Sequence, residues 1–411
     1  MDVSANKNYV QRDIFSLVQL YFDVCFFSLM VPFRILWDSK SDQYLIVKYK
    51  IQTVICLGLH ANILYHRVTD LTDIFSRYRE KDSEYISNTF NFANNFVFVY
   101  FVVLFFKLVW FQGDNLLKFV AITTIRIKRA TLICTFGKLL WISSFLAYGT
   151  IVCLRSPFYS FDLPNDAYNS NGTVYHNGYD KLTTLFAIKL SYWDIALTIL
   201  KALSAIHAVT IFPVTHSLLF VLSFCVLGIA KNYRTELRLA VHRIDISTGL
   251  LAYRNLRKNI TFINDVFGGP LFGFFLAVIT YYSQVPDVLM GYLTDFPLGV
   301  IFLFIVLDMA IFVLAAEFHS QVQRISFEGF EDLSLKVLEY KRKFEVRSVS
   351  STEYFQILES KLDLMEMKNE MSQQPIALSC RFFSITYGFL ASVLSVIVTY
   401  SIIILQMRSA K

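Results

Sequence analysis

A chain of 411 residues with 55% apolar side chains, 16% aromatics and only 17% charged residues cannot hide its apolar surface in a soluble core. Lipid is the solvent that fits, which predicts an all-α, polytopic membrane protein. The net charge of +6 does not argue for nucleic acid, because the basic residues lie in short loops between apolar runs, where they set orientation.

The first apolar run, 14–36, is interrupted by Asp23 and closed by Arg34, and it continues into Val31-Pro32-Phe33 with no small-residue cleavage site. It reads as an interfacial or re-entrant segment in a cytoplasmic N-terminal region, 1–43, with an eighth span as the alternative. Seven spans, each near the roughly 20 residues a bilayer needs, are predicted over 44–65, 87–110, 131–154, 200–228, 265–284, 297–317 and 384–407. The first six fall in 44–329 and carry long cytoplasmic extensions; the last falls in 384–411 and ends in an extracellular C-terminus.

Loop charge sets the orientation. The segment 111–130 carries Lys118, Arg126, Lys128 and Arg129 against Asp114, and 231–262 is more basic still, whereas 285–296 has Asp287 and Asp295 and no Lys or Arg. The positive-inside rule therefore puts 111–130, 231–262 and 318–383 in the cytoplasm and the N-terminus inside. The sequon Asn171-Gly172-Thr173 falls outside, where Asn171 can be glycosylated; Asn259-Ile260-Thr261 falls inside. The stretch 182–230 is long enough for two spans, but parity permits one crossing. It reads as one helix running past the membrane into the cytoplasm, kinked at Pro213.

The segment 330–383 differs from the rest. Leu333, Val337, Tyr340 and Phe344 make one apolar stripe on a charged helix, and Phe355, Leu358, Leu362 and Met365 make another, separated by the run 348–352. Such helices form a cytoplasmic layer and pack either within the subunit or between subunits. Gly269 and Gly273 make a GxxxG that marks close helix packing. A carboxylate at Asp308, near mid-depth of the sixth span, is costly unless it is paired, neutral, or facing water or a polar ligand.

No phosphate-binding loop, nucleophile elbow or HExxH occurs, so no enzyme and no cofactor are expected. The six cysteines form no close pairs, and His207 and His216 are nine residues apart on one helix, so no metal site is expected.

The last span carries Thr399-Tyr400-Ser401-Ile402-Ile403-Ile404-Leu405-Gln406-Met407. It resembles the ending of the insect chemoreceptor superfamily, above all the gustatory receptors: Thr-Tyr, a mostly apolar run, then Gln-Phe. Met407 stands where the family has Phe. Phe262-Ile263-Asn264-Asp265-Val266-Phe267-Gly268 resembles the family's stretch entering the fifth span. The resemblance implies a tetrameric, ligand-gated, non-selective cation channel of the plasma membrane, opened by a small-molecule tastant. It also implies a cytoplasmic helical anchor and a pore lined by the last helix of each subunit. The expected partners are a small-molecule ligand, permeant cations, membrane lipid and related subunits in a homo- or heterotetramer, with no nucleic acid. The pore and gate would use Ile403, Gln406 and Met407, which share a helix face, with Thr399 and Tyr400 deeper. The outer ligand pocket would draw on Tyr148, Trp193, Asp194, Tyr281, Tyr282, Gln284 and Asp308. A seven-helix signalling receptor, an odorant receptor, and a non-sensory channel or transporter of the same fold are the alternatives.

Overall fold

The computed structural model describes residues 21–23, 25–27, 29–38, 43–78, 85–124, 192–292, 298–345, 351–373, 376–380 and 382–409. The predicted third span at 131–154, with Tyr148, and the sequon at Asn171 lie outside the described residues.

The N-terminal segment departs from an all-helical reading. Residues 21–23 and 25–27 are helical, and the helix closes at Leu29, whose φ is 60°. Leu29 N–H donates to Phe26 O at 3.1 Å and Met30 N–H to Cys25 O at 2.7 Å, the paired bonds that end many helices at a left-handed residue. The chain then forms strand β1 (Phe33–Asp38), antiparallel to β2 (Gln43–Lys48), in a register from Phe33↔Lys48 to Asp38↔Gln43. The run 14–36 is therefore not a single helix, and the predicted span 44–65 begins in a strand. Asp23 and Arg34, the two charges that broke the apolar run, meet each other: Arg34 Nε donates to Asp23 Oδ1 at 2.7 Å.

Helix α1 (Lys50–Tyr78) and α2 (Tyr85–Phe111) cover the first two predicted spans. The chain then bends by 86° into α3 (Gly113–Thr124), a segment expected as loop. Leu116, Phe119, Val120 and Thr123 of α3 are buried, while Asp114 and Lys118 are exposed. That amphipathic pattern suits a helix lying along a membrane surface.

Three long helices form the body: α4 (Tyr192–Arg243), α5 (Ile246–Tyr292) and α6 (Leu298–Glu345). At 1.5 Å per residue each is about 70–80 Å long, roughly twice a bilayer, so each must project beyond it. Helix α4 is continuous across Pro213 and reaches well past its apolar part, as the parity reading required. Helix α6 carries the sixth span and the first anchor stripe in one piece, so the border drawn at 329/330 falls inside a helix. Among the described residues, His216–Arg243 and Ile246–Thr280 are long and apolar enough to cross a membrane. Val99–Phe111 with Gly113–Thr123 makes a third, bent candidate.

Small residues set the closest approaches. A Cβ on Gly273 would lie 3.2 Å from Phe101, and one on Gly269 3.5 Å from Leu104, so the GxxxG seats α5 against α2. Toward the far ends of α4 and α6, Gly329 lies beneath Leu237, whose side chain fills the space a Cβ there would take. Beside it, Tyr233 and Ser326 share a buried 3.0 Å hydrogen bond, and Lys336 Nζ donates to Val241 O at the end of α4.

The α4–α5 turn repeats the N-terminal device. Ile244 has φ 59°, and Asp245 N–H donates to Ala240 O at 3.0 Å. Asp245 then caps α5: Oδ1 accepts Thr248 N–H at 3.0 Å and Oδ2 accepts the Thr248 hydroxyl. These bonds, the hydroxyl's first, hold the Asp245 carboxyl below its ordinary range. A depressed folded-state pKa contributes stability above the unfolded carboxylate range near 3.9 and loses it as pH falls through the folded value. Acidification below about pH 4 should therefore cost this turn about 1 kcal/mol or less, given its exposure. Limited proteolysis against pH should show the loss, and Asp245→Asn should flatten it.

Helices α7 (Ser351–Gln373) and α8 (Tyr387–Ser409) complete the chain. Helix α6 ends at Glu345 and α7 begins at Ser351, within the run 348–352; residues 346–350 lie outside the described residues.

Candidate ligand and pore elements

Two of the predicted pocket residues meet at depth in the bundle. Asp308 on α6 is 4% exposed, and its Oδ2 accepts a 2.7 Å hydrogen bond from the Tyr282 hydroxyl on α5. Its other oxygen, Oδ1, lies 2.9 Å from His216 Nδ1 on α4, an ion-pair contact rather than a well-angled hydrogen bond. His216 stands edge-on to Phe274 at 4.8 Å and Phe101 at 6.0 Å, and Phe274 stacks on Phe312 at 5.1 Å. A carboxylate in an aromatic setting thus ties three helices together through two partners, which offsets the cost of its burial. The sequence reading missed His216 by testing it only against His207. The available signal was depth: two ionisable groups on separate apolar helices near mid-span are each other's least costly partner. Trp193 and Asp194 lie on α4, and Tyr281 and Gln284 on α5.

A second constellation fixes the base of the last helix. The segment 376–385 between α7 and α8 is clasped by α5 and α6. Asn264 Nδ2 donates to Ala377 O at 3.0 Å, and its Oδ1 accepts Ser379 N–H at 2.9 Å, so one side chain pairs like a strand with the passing backbone. His319 Nδ1 lies 2.9 Å from Ile376 O. Leu378, Cys380 and Ile385 are wholly buried beneath. Asn264 sits in the stretch that resembled the family pattern, and this bidentate contact is a role that stretch can now be given. Asn264→Ala should remove both bonds and lower thermal stability of the detergent-solubilised chain by about 1–3 kcal/mol. Asn264→Asp should not restore it, because a carboxylate cannot donate to Ala377 O.

Thr386 caps α8, accepting Phe389 N–H at 3.2 Å, and the Tyr387 hydroxyl donates to Glu317 Oε2 at 2.6 Å. Phe383 stacks on Phe389 at 4.3 Å and meets Phe275 at 4.7 Å. Above this base the helix emerges: Leu390 and Val393 are buried, whereas Val396, Tyr400, Ile403 and Gln406 are exposed. Exposure does not by itself separate the predicted pore face from Ile402, which is also exposed. The Thr399 hydroxyl donates to its own helix at Ser395 O, 2.8 Å away.

The two anchor stripes part ways. Leu333 and Val337 are buried within the subunit. On α7, by contrast, Leu364 and Met367 face the bundle, while Phe355, Leu358, Leu362 and Met365 are 66%, 44%, 59% and 70% exposed.

Similarity in three dimensions extends over nearly the whole chain. Superposed on the insect olfactory receptor OR5 from Machilis hrabei in complex with eugenol, it gives a TM-score of 0.59 at 13% identity, covering 96% of this chain and 98% of that one. The chain has the insect olfactory-receptor fold. A second structure of that receptor gives a TM-score of 0.54 at 12% identity, covering 95% and 97%. No family model and no curated protein matches the sequence. The fold is thus a polytopic helical one, reached from a sequence far from that of the structure it resembles.

Proposed function

We propose that the chain is a subunit of a chemoreceptor channel: a ligand-gated, non-selective cation channel of the plasma membrane, of the gustatory kind, opened by a small molecule. The observation that carries this reading is α8, held at its base and exposed along its upper turns, ending in the Thr-Tyr…Gln-Met sequence. A last helix left bare in the single chain is accounted for when copies of it face one another around an axis. The bare stripe of α7 supports the same assembly, since an apolar helix face of that size in water calls for a partner.

In this reading Ile403 and Met407 form an apolar constriction, and a Gln406 ring offers amide dipoles without fixed charge, which suits weak selection among cations. The ligand enters the outer half of the bundle near Tyr282 and Asp308. The likeness to a receptor solved with eugenol supports a ligand of that modest size. Expressed alone in cells with G-protein signalling blocked, the chain should pass a ligand-evoked cation current; a response abolished by the block supports the signalling-receptor alternative instead.

The orientation has its own test. Glycosidase should reduce the mass of protein made in eukaryotic cells, and Asn171→Gln should abolish that reduction. Loss of the shift in Asn259→Gln instead would mean that the topology is inverted.

A further inference from the structure

A cleft of about 530 Å³ opens where α3, α5 and α7 meet, and its walls are mainly cationic: Lys118 from α3, and Arg254, Arg257 and Lys258 from α5. Arg254 is committed to α7, hydrogen-bonded to Glu366 and to Glu370 at 2.9 Å. Arg257 stands 3.8 Å from Glu370, at the limit of ion pairing. Lys118 Nζ lies 4.1 Å over the Phe262 ring, which turns it toward α5. The four cations of the wall outnumber its two acids, Asp265 and Glu370.

The depth of the cleft points to its occupant. The apolar course of α5 begins at Val266, and the cleft residues 257–262 lie just below it. At 1.5 Å per residue they sit about 6–14 Å beneath the hydrocarbon edge, the level of the headgroups and of side chains that snorkel toward them. The amphipathic α3 runs along that same level, bent 86° from α2. On the proposed topology this is the inner leaflet, whose lipids are anionic. We propose that the cleft binds a phosphorylated, multiply anionic headgroup of an inner-leaflet lipid, held by Lys118, Arg257 and Lys258. Its phosphates compete with Glu370 for Arg257, so occupancy loosens one of the ties between α7 and α5. The lipid thereby acts on the helix that carries the bare apolar stripe.

The proposal rests on the topology above, and the Asn171 glycosylation test reports on that topology independently. The experiment is native mass spectrometry of the full chain from nanodiscs of phosphatidylcholine containing phosphatidylserine or phosphatidylinositol bisphosphate. The bisphosphate lipid should be retained over phosphatidylcholine. Lys118→Gln with Lys258→Gln should weaken that retention roughly 30-fold, about fivefold for each cation removed. Lys118→Arg with Lys258→Arg should preserve it, as should Lys231→Gln with Arg238→Gln, which remove cytoplasmic cations elsewhere. Equal retention by the parent and the glutamine pair overturns the proposal, as does equal loss in the control pair. Soluble inositol trisphosphate, added as a competitor, should displace the lipid weakly; displacement at equal concentration assigns the cleft to a free phosphate and overturns the lipid.

Discussion

Serine in place of Ile403 or Met407 should raise the current recorded without ligand roughly tenfold, a shift of about 1.4 kcal/mol in the opening equilibrium. In the proposed assembly each residue recurs around the axis, so one substitution changes a whole ring. An apolar ring resists ions by expelling water before it closes sterically, and a ring of hydroxyls removes that barrier. Gln406→Ala should instead change ion preference or conductance more than ligand sensitivity. Ile402 and Leu405 are the controls, because helical spacing sets them off the face that Ile403 and Met407 share. Since Ile402 is as exposed as Ile403 in the single chain, only this comparison separates pore from lipid. Equal effects at Ile402→Ser and Ile403→Ser would show that the pore face is misassigned.

Removing Asp308 should be the most damaging single change in the membrane. Asp308→Ala leaves the Tyr282 hydroxyl and His216 Nδ1 buried beside a cavity, having lost contacts of 2.7 and 2.9 Å. A lost buried hydrogen bond costs about 1–3 kcal/mol, and less within a membrane, so a loss of about 2 kcal/mol is expected once the cavity is added. It should appear as a lower melting temperature in detergent and reduced surface expression. Asp308→Asn keeps an acceptor for Tyr282 and removes the charge, so it separates folding from ligand response. If the site belongs to the ligand pocket, the asparagine variant should express well and shift half-maximal activation about tenfold. Normal concentration dependence in that variant would assign the trio to structure alone.

The helical frame was legible because its signals are long. Apolar runs near the length of a bilayer marked α2, α5 and α8, and parity marked α4 as one helix. The hairpin was not legible as the apolar runs were grouped. Phe33–Trp37 is too short for its periodicity to separate strand from helix, and it was absorbed into 14–36. A signal was nonetheless present in the sequence, since Asp38-Ser39-Lys40-Ser41-Asp42 between two β-branched and aromatic runs is of the hairpin type. Helix α3 was hidden by its basic neighbours, which read as loop. Within the site, Tyr282 and Asp308 were both named, but their bond was not, because contacts between helices of unknown rotation leave no mark in the sequence. The two anchor stripes look alike as spacing; only the packed chain distinguishes Leu333, buried within its own subunit, from Phe355, which is largely exposed.

Helix α8 is fastened like a cantilever. The ties described above gather at its root: the Asn264 clasp, the Thr386 cap, the Tyr387–Glu317 bond and the stack of Phe275, Phe383 and Phe389. From Tyr387 to Gln406 the beam is about 28 Å long. A deflection of about 5° at its root would carry Gln406 about 2.5 Å, so in the proposed assembly opposing tips would part by about 5 Å, wider than a water molecule. The geometry gives leverage: repacking at the root too small to disturb the fold is magnified at the tip, and stiffness at the root sets how much force the tip needs to move.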